Sequence, residues 1–189
     1  MKDISLLLPK VQVMAKTFID KCNAQGIKVG ITSTYRSIQE QDAIYAQGRT
    51  TAGQVITNAR GGQSMHNYKV ALDFCPMTAD SNFAWNDKAT FTKIGMIGES
   101  CGFEWGGRWV SFLDLPHLQY TAGYTLEDFQ NGKVDYAKFD IAPHTPSKRD
   151  LAAFALRDWQ VSLGIMDFAH ETDPNKIKFG PKSQAAFNN

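Results

Sequence analysis

The sequence predicts an α+β domain, because helical and strand-like patterns occur in the same chain. Apolar residues recur at helical spacing over residues 10–22 and again over residues 91–101. Within residues 27–34, β-branched side chains alternate with other residues, as in a strand. Residues 70–75 form a short apolar run, which also indicates a strand. With 189 residues and 43% hydrophobic composition, the chain can bury one sizeable core.

Two further elements and one loop are predicted between and after these segments. Ser37 is a suitable N-cap for a helix that ends near Gln47, since Glu40 lies in its first turn. Residues 50–63 contain three glycines and show no period, so we expect a loop that covers another part of the domain. A short strand is expected at residues 118–120.

The composition changes at residues 142–150, where the segment APHTPSKRD contains two prolines and predicts a linker. We expect one main domain over residues 1–141. Residues 151–189 should form a small helical segment. Because so few residues rarely fold alone without disulfides or a metal, this segment is expected to pack on the main domain unless it binds a partner.

Charge and hydropathy exclude several classes of protein. The 20 basic and 19 acidic residues give a net charge of +1, whereas nucleic-acid binders are usually more basic, so no nucleic-acid partner is expected. No run of 18 apolar residues is present, so we expect no membrane insertion. The N-terminal apolar run is interrupted at Pro9 and Lys10 without a cleavage site, which argues against a signal peptide.

The three cysteines, Cys22, Cys75 and Cys101, are an odd number without CxxC spacing. They are interpreted as free thiols of a reducing compartment rather than as a disulfide framework or a thiolate metal site.

Two segments place histidines and acids where a metal site could form. His66 follows a glycine-rich loop, and Asp73 lies seven residues later between Leu72 and Phe74. A carboxylate flanked by apolar residues is costly to bury unless it is paired or metal-bound. In the second segment, His117 follows Asp114 by three residues. From these residues alone the alternatives remain open, namely structural histidines and an aspartate that caps a helix or forms a salt bridge.

Four segments of the chain, in this order, resemble the M15 family of zinc peptidases. This family includes D-alanyl-D-alanine carboxypeptidases of the VanY type, D,D-dipeptidases and the L-alanyl-D-glutamate endopeptidases of bacteriophage endolysins. The matching segments are STYRSIQEQDAIYAQGRT (33–50), GGQSMHNYKVALDF (61–74), FEWGGRW (103–109) and DLPHLQY (114–120).

The resemblance implies a fold and a metal site. The fold would be that of D,D-peptidases and Hedgehog, in which a small antiparallel sheet carries the zinc and helices pack on it. The zinc ligands would be His66, Asp73 and His117. Asp114 would be the catalytic base, although many members have Glu at this position, and Glu104 is the alternative base.

Other residues match family positions that contact the substrate. Arg36 would stabilise the oxyanion or bind a substrate carboxylate. Ser64 and Gln41 would contact substrate, and Trp105 would form a wall of the cleft unless it belongs to the core.

The implied function is hydrolysis of peptidoglycan stem peptides. The absence of a predicted signal peptide, together with a tail that resembles helical peptidoglycan-binding repeats, favours a phage endolysin that cuts the L-alanyl-D-glutamate bond. Such an enzyme would be a monomer made in the host cytoplasm and would reach the wall after a holin-type protein breaches the membrane. The alternatives are a D-alanyl-D-alanine carboxypeptidase or dipeptidase and, from another class, an inactive wall-binding protein with the same fold.

Overall fold

The computed structural model describes residues 2–140. The predicted linker at 142–150 and the predicted helical segment at 151–189 lie outside the described residues.

The helices begin where the sequence supplies suitable caps. Ser37 caps the second helix, as the sequence predicts, and the structure shows that Ser37 and Glu40 form a reciprocal capping box there. The third helix begins earlier than the predicted residue 91, because the Asp87 side chain accepts a hydrogen bond from the amide of Thr90. The α-helices are α1 (Pro9–Ala24), α2 (Ile38–Ala46), α3 (Lys88–Ser100) and α4 (Leu126–Gln130).

Four short strands form one antiparallel sheet, in the order β1-β2-β4-β3. They are β1 (Val29–Ser33), β2 (Ala71–Pro76), β3 (Glu104–Trp105) and β4 (His117–Gln119). The predicted α+β class with a small antiparallel sheet and helices is therefore confirmed. The sequence did not predict β3 or α4, since two and five residues are too few to show a period.

Side chains alternate between the two faces of the sheet and so separate the core from the polar residues. On β2, Leu72 and Phe74 are fully buried, whereas Asp73 between them points to the opposite face and is partly exposed. On β4, Leu118 lies against Gly98 of α3, while His117 points to the face of Asp73.

The core between the sheet and the helices is aromatic. The ring of Phe74 lies 5.7 Å from Phe18 of α1 and 5.5 Å from Phe91 of α3, measured between centroids. Burying each such ring contributes about 1.5–3 kcal/mol. These contacts fix α1 and α3 against one face of the sheet and leave the other face for Asp73 and His117.

All three cysteines are free thiols in the structure, as expected. Cys22 and Cys75 are buried, and burial raises the pKa of the Cys22 thiol to about 12 and that of Cys75 to about 11. Within residues 2–140, none of the helices has the length and apolar character needed to cross a membrane.

Candidate metal centre

His66 is positioned by a short 3₁₀ helix, Met65–Tyr68, that enters β2. The Ser64 side chain caps this helix, and Lys69 ends it in the left-handed conformation, with φ of 64°. The imidazole is 1% exposed. Its Nδ1 lies 2.6 Å from the backbone oxygen of Thr34, which can only accept, so Nδ1 carries the proton and donates. Nε2 is therefore free to bind a metal.

Asp73 and His117 are brought together by the pairing of β2 with β4, in which they occupy directly opposite positions. Asp73 Oδ1 lies 3.1 Å from Nδ1 of His117 and 3.1 Å from Nε2 of His66. One carboxylate oxygen thus faces a nitrogen of each imidazole.

The three side chains can hold a metal ion. One nitrogen from each histidine and one oxygen of Asp73 all lie within 4.8 Å of one another. Two imidazoles and one carboxylate form a donor set that suits zinc and leaves a fourth position open. The remaining ring nitrogen of each histidine has a protein oxygen as its partner, namely Thr34 O and Gln119 Oε1, which is the usual support for a ligating imidazole.

The electrostatics of this cluster also suit a cation. Burial opposes ionisation of Asp73, but the facing imidazoles of His66 and His117 hold the pKa of its carboxyl well below the ordinary value. Burial lowers the pKa of His66 and outweighs the effect of Asp73. For His117 burial acts in the same direction, but the hydrogen bond to Asp73, the charges of Asp73 and Asp114 and the hydrogen bond to Gln119 together outweigh it, so the pKa is raised. The ionised carboxylate of Asp73 therefore lies between the two imidazoles, where a cation could bind.

The cluster lies in a cleft of about 890 Å³, which Ser64, Arg36 and Asp114 also line. The Arg36 guanidinium donates from Nη2 to Asp73 Oδ2 at 3.4 Å and from Nη1 to Gln41 Oε1 at 2.9 Å. Among the described residues, its buried Nε has no hydrogen-bond partner. Arg36 is thus held at the cleft by Gln41 and Asp73, while its Nε–H remains uncommitted.

Asp114 lies in the turn between β3 and β4. Its amide donates to Gly106 O at 3.1 Å, and its carbonyl accepts from the amide of His117 at 3.2 Å. A Cβ on Gly106 would stand 2.5 Å from Asp114 O, so the close approach requires glycine. Burial raises the pKa of the Asp114 carboxyl above its ordinary value. The structure thus places Asp114 beside the metal cluster, facing the cleft.

Gln41 and Trp105, which the sequence predicted to contact substrate, do not line the cleft. Gln41 is fully buried and donates from Nε2 to Ala59 O at 2.8 Å, so it holds Arg36 and the 50–63 loop in place. Trp105 is 4% exposed and packs against α3, because its position on β3 faces the helices. Its Nε1 donates to Leu115 O at 2.9 Å.

Glu104, the alternative base, also does not line the cleft. Its carboxylate accepts hydrogen bonds from Gln119 and Thr121.

Two other tryptophans, Trp85 and Trp109, do line the cleft. Trp109 belongs to the FEWGGRW segment, which could have indicated it. Gln119 lies two residues after His117, so period-2 alternation could have placed it on the same face.

A family model described as D-alanyl-D-alanine carboxypeptidase, from peptidase family M15, matches residues 57–120. The chain is 44% identical over 103 residues to the peptidoglycan L-alanyl-D-glutamate endopeptidase CwlK of Bacillus subtilis (strain 168). This alignment covers 50% of this chain and 62% of CwlK. It is 30% identical over 138 residues to the L-alanyl-D-glutamate peptidase of Listeria phage A118. This alignment covers 69% of this chain and 44% of the phage protein. The chain thus spans less than two thirds of either relative.

Among solved structures, the L-Ala D-Glu endopeptidase ChiX of Serratia marcescens is similar with a TM-score of 0.49 and 19% identity, over 67% of this chain and 86% of that one. The segment that matches the family model contains His66, Asp73, Asp114 and His117. Residues 57–120, with these four side chains, therefore match a peptidase domain of the M15 family.

Proposed function

We propose that this protein is a zinc-dependent peptidase that hydrolyses the L-alanyl-D-glutamate bond of peptidoglycan stem peptides. The observation that carries the proposal is the convergence of His66, Asp73 and His117 in a cleft that also contains Asp114 and Arg36. A metal-binding triad, a carboxyl group and a guanidinium around one cavity are the groups that peptide hydrolysis needs.

Zinc would be held by Nε2 of His66, Nδ1 of His117 and the carboxylate of Asp73. When bound, zinc supplies Lewis acidity, which polarises a carbonyl group and lowers the pKa of water to about 7. The hydrogen bonds to Thr34 and Gln119 hold the two rings in place for this role.

Asp114 is the proposed general base. Its carboxylate would take a proton from the attacking water and pass it to the leaving amine. Burial keeps the pKa of this carboxyl above the ordinary value, which makes it a stronger base than a solvated aspartate. Arg36 would donate to the oxyanion or to a substrate carboxylate, and Ser64, which lines the cleft, would contact the substrate.

The choice of bond is supported by two relatives that are named as L-alanyl-D-glutamate peptidases. The description of the matching family model favours a second candidate, a D-alanyl-D-alanine carboxypeptidase or dipeptidase. An inactive wall-binding protein is less well supported, because the three metal-binding side chains and Asp114 are all present.

The phage relative also supports a biological setting. We propose a monomeric endolysin that is made in the host cytoplasm and reaches the wall after a holin-type protein opens the membrane. Residues 151–189 are proposed to hold the enzyme on the wall or to complete the main domain.

The test is digestion of purified peptidoglycan by the zinc-loaded protein, followed by mass spectrometry of the products. New N-terminal D-glutamate or isoglutamine would support the endopeptidase. Release of D-alanine would instead establish the carboxypeptidase. A matched digestion with Asp73→Ala controls for contaminating hydrolases, and absence of any product from the zinc-loaded wild type would contradict both activities.

A further inference from the structure

A line of hydrogen bonds leads from His117 through Gln119, which also lines the cleft, to Glu104 on the edge strand of the sheet. Nε2 of His117 lies 3.1 Å from Gln119 Oε1. Gln119 Nε2 donates to Glu104 Oε2 at 2.8 Å, and Thr121 Oγ1 donates to the other oxygen, Glu104 Oε1, at 3.1 Å. Hydrogen bonds thus join four side chains one after another, and His117 is the member that belongs to the candidate metal centre.

The pairing of β3 with β4 produces this arrangement. Gln119 follows His117 by two residues on β4, so both side chains lie on the same face of the sheet. Glu104 occupies the position directly opposite Gln119 on β3. Cross-strand neighbours of this kind lie close enough for their side chains to interact.

The chemistry of the groups gives the line a direction. A carboxylate only accepts hydrogen bonds, so Glu104 requires the NH₂ group of Gln119 to point towards it. The amide oxygen then points at His117 and also can only accept, so Nε2 of His117 must carry a proton. Nδ1, which faces Asp73, is the ring nitrogen that remains free to lose its proton and bind a metal.

We propose that Gln119 and Glu104 are positioning residues for the zinc site. Glu104 orients the Gln119 amide, and that amide fixes the ring and the protonated nitrogen of His117. This role assigns a function to Glu104 other than catalytic base, in keeping with its position outside the cleft lining. The proposal rests on the proposed zinc function of the same site. Partners of this kind typically change metal affinity by about 10–100-fold when they are removed.

The experiment compares Gln119→Met, Glu104→Gln and the wild type. Methionine keeps the length of the glutamine side chain but cannot hydrogen-bond to His117 as an amide does. Glutamine at position 104 offers both a donor and an acceptor, so it no longer dictates the orientation of Gln119. The matched control is Glu99→Gln, which removes a carboxylate that pairs with Arg108 on the surface.

Two measurements are made on each protein, with thermal unfolding as a check that each variant is folded. The first is the zinc dissociation constant, obtained by competition with a chelator. The second is the exchange rate of the His117 Nε2–H proton with water, measured by NMR in the zinc-free and zinc-loaded proteins.

We expect Gln119→Met to weaken zinc binding by about 10–100-fold and Glu104→Gln by roughly tenfold. In both variants the Nε2–H proton should exchange faster, and Glu99→Gln should match the wild type. Wild-type zinc affinity and wild-type exchange in folded Glu104→Gln would overturn the proposal. If the wild type bound no zinc, the proposed function would fail, while the exchange measurement would still decide whether Gln119 and Glu104 hold His117.

Discussion

Nδ1 of His66 donates a hydrogen bond of 2.6 Å to the backbone oxygen of Thr34, the residue that follows β1. Because the acceptor is a main-chain atom, a substitution at residue 34 does not remove it. The bond links His66 to the first strand of the sheet, while Asp73 and His117 belong to the second and third strands in its order. The three candidate metal ligands are therefore brought together by the sheet as a whole, and their geometry depends on correct strand pairing.

Loss of His66 should empty the site. We expect His66→Ala to lose most of its zinc, because two remaining ligands do not complete a site that normally needs three protein ligands. Metal analysis of the purified protein measures the stoichiometry. His170→Ala, which changes a histidine with no proposed ligand role, is the control. Stoichiometric zinc in His66→Ala would show that the ligand assignment is wrong.

Asp114→Asn should separate metal binding from turnover. The amide cannot take a proton from water, so we expect kcat to fall by roughly 10²-fold or more, the scale of general acid–base catalysis. Zinc content and melting temperature should remain close to those of the wild type, since Asp114 is not one of the three ligands.

The control for this substitution is Asp20→Asn, which changes an exposed aspartate on α1. If Asp114→Asn retained near wild-type turnover on a stem peptide, the base would have to be another group, and Glu104→Gln would then be assayed for turnover.

Zinc affinity should depend on pH through His117. The pKa of this imidazole is raised in the metal-free protein, so as pH falls through that raised pKa a proton competes with zinc for Nδ1. The pKa of His66 is lowered, so this ring is already neutral in the same range and adds little. We therefore expect affinity to decline at a pH above the ordinary histidine value of about 6.5.

Isothermal titration at several pH values, in buffers of different ionisation enthalpy, measures both the affinity and the number of protons released. The number of protons released per zinc should rise towards one as the pH falls through the raised pKa of His117. A zinc affinity that stays constant from mildly alkaline to mildly acidic pH would contradict the assignment to His117.

Gly95→Ala should destabilise the domain without touching the metal centre. A Cβ at this position would stand 2.1 Å from the ring of Trp105. This ring extends from β3, is buried against α3 and cannot move freely. Overpacking of this kind typically costs about 1–3 kcal/mol. Denaturant unfolding should show this loss. Met96→Ala, at an exposed position of the same helix, should change stability far less. Equal stability of the two variants would show that the core accommodates the methyl group.

The patterns within the sequence were sufficient for the main elements. Alternation of β-branched residues predicted β1, a short apolar run predicted the strand that carries Asp73, and helical spacing predicted α1 and α3. The M15 resemblance, carried by short motifs around His66 and His117, indicated the candidate metal ligands and the antiparallel sheet. These features are local, because they depend on spacing within one segment and on which face that segment buries.

Tertiary structure alone decided which side chains face the cleft. Trp105 and Glu104 are neighbours in one motif, yet the pairing of β3 with β4 turns the first into the core and sets the second opposite Gln119. Gln41 is likewise buried, and it hydrogen-bonds to Arg36 and to the loop rather than lining the cleft. A hydrogen bond between residues far apart in sequence depends on strand register and on packing across the whole domain, and neither is encoded in the spacing of a single segment.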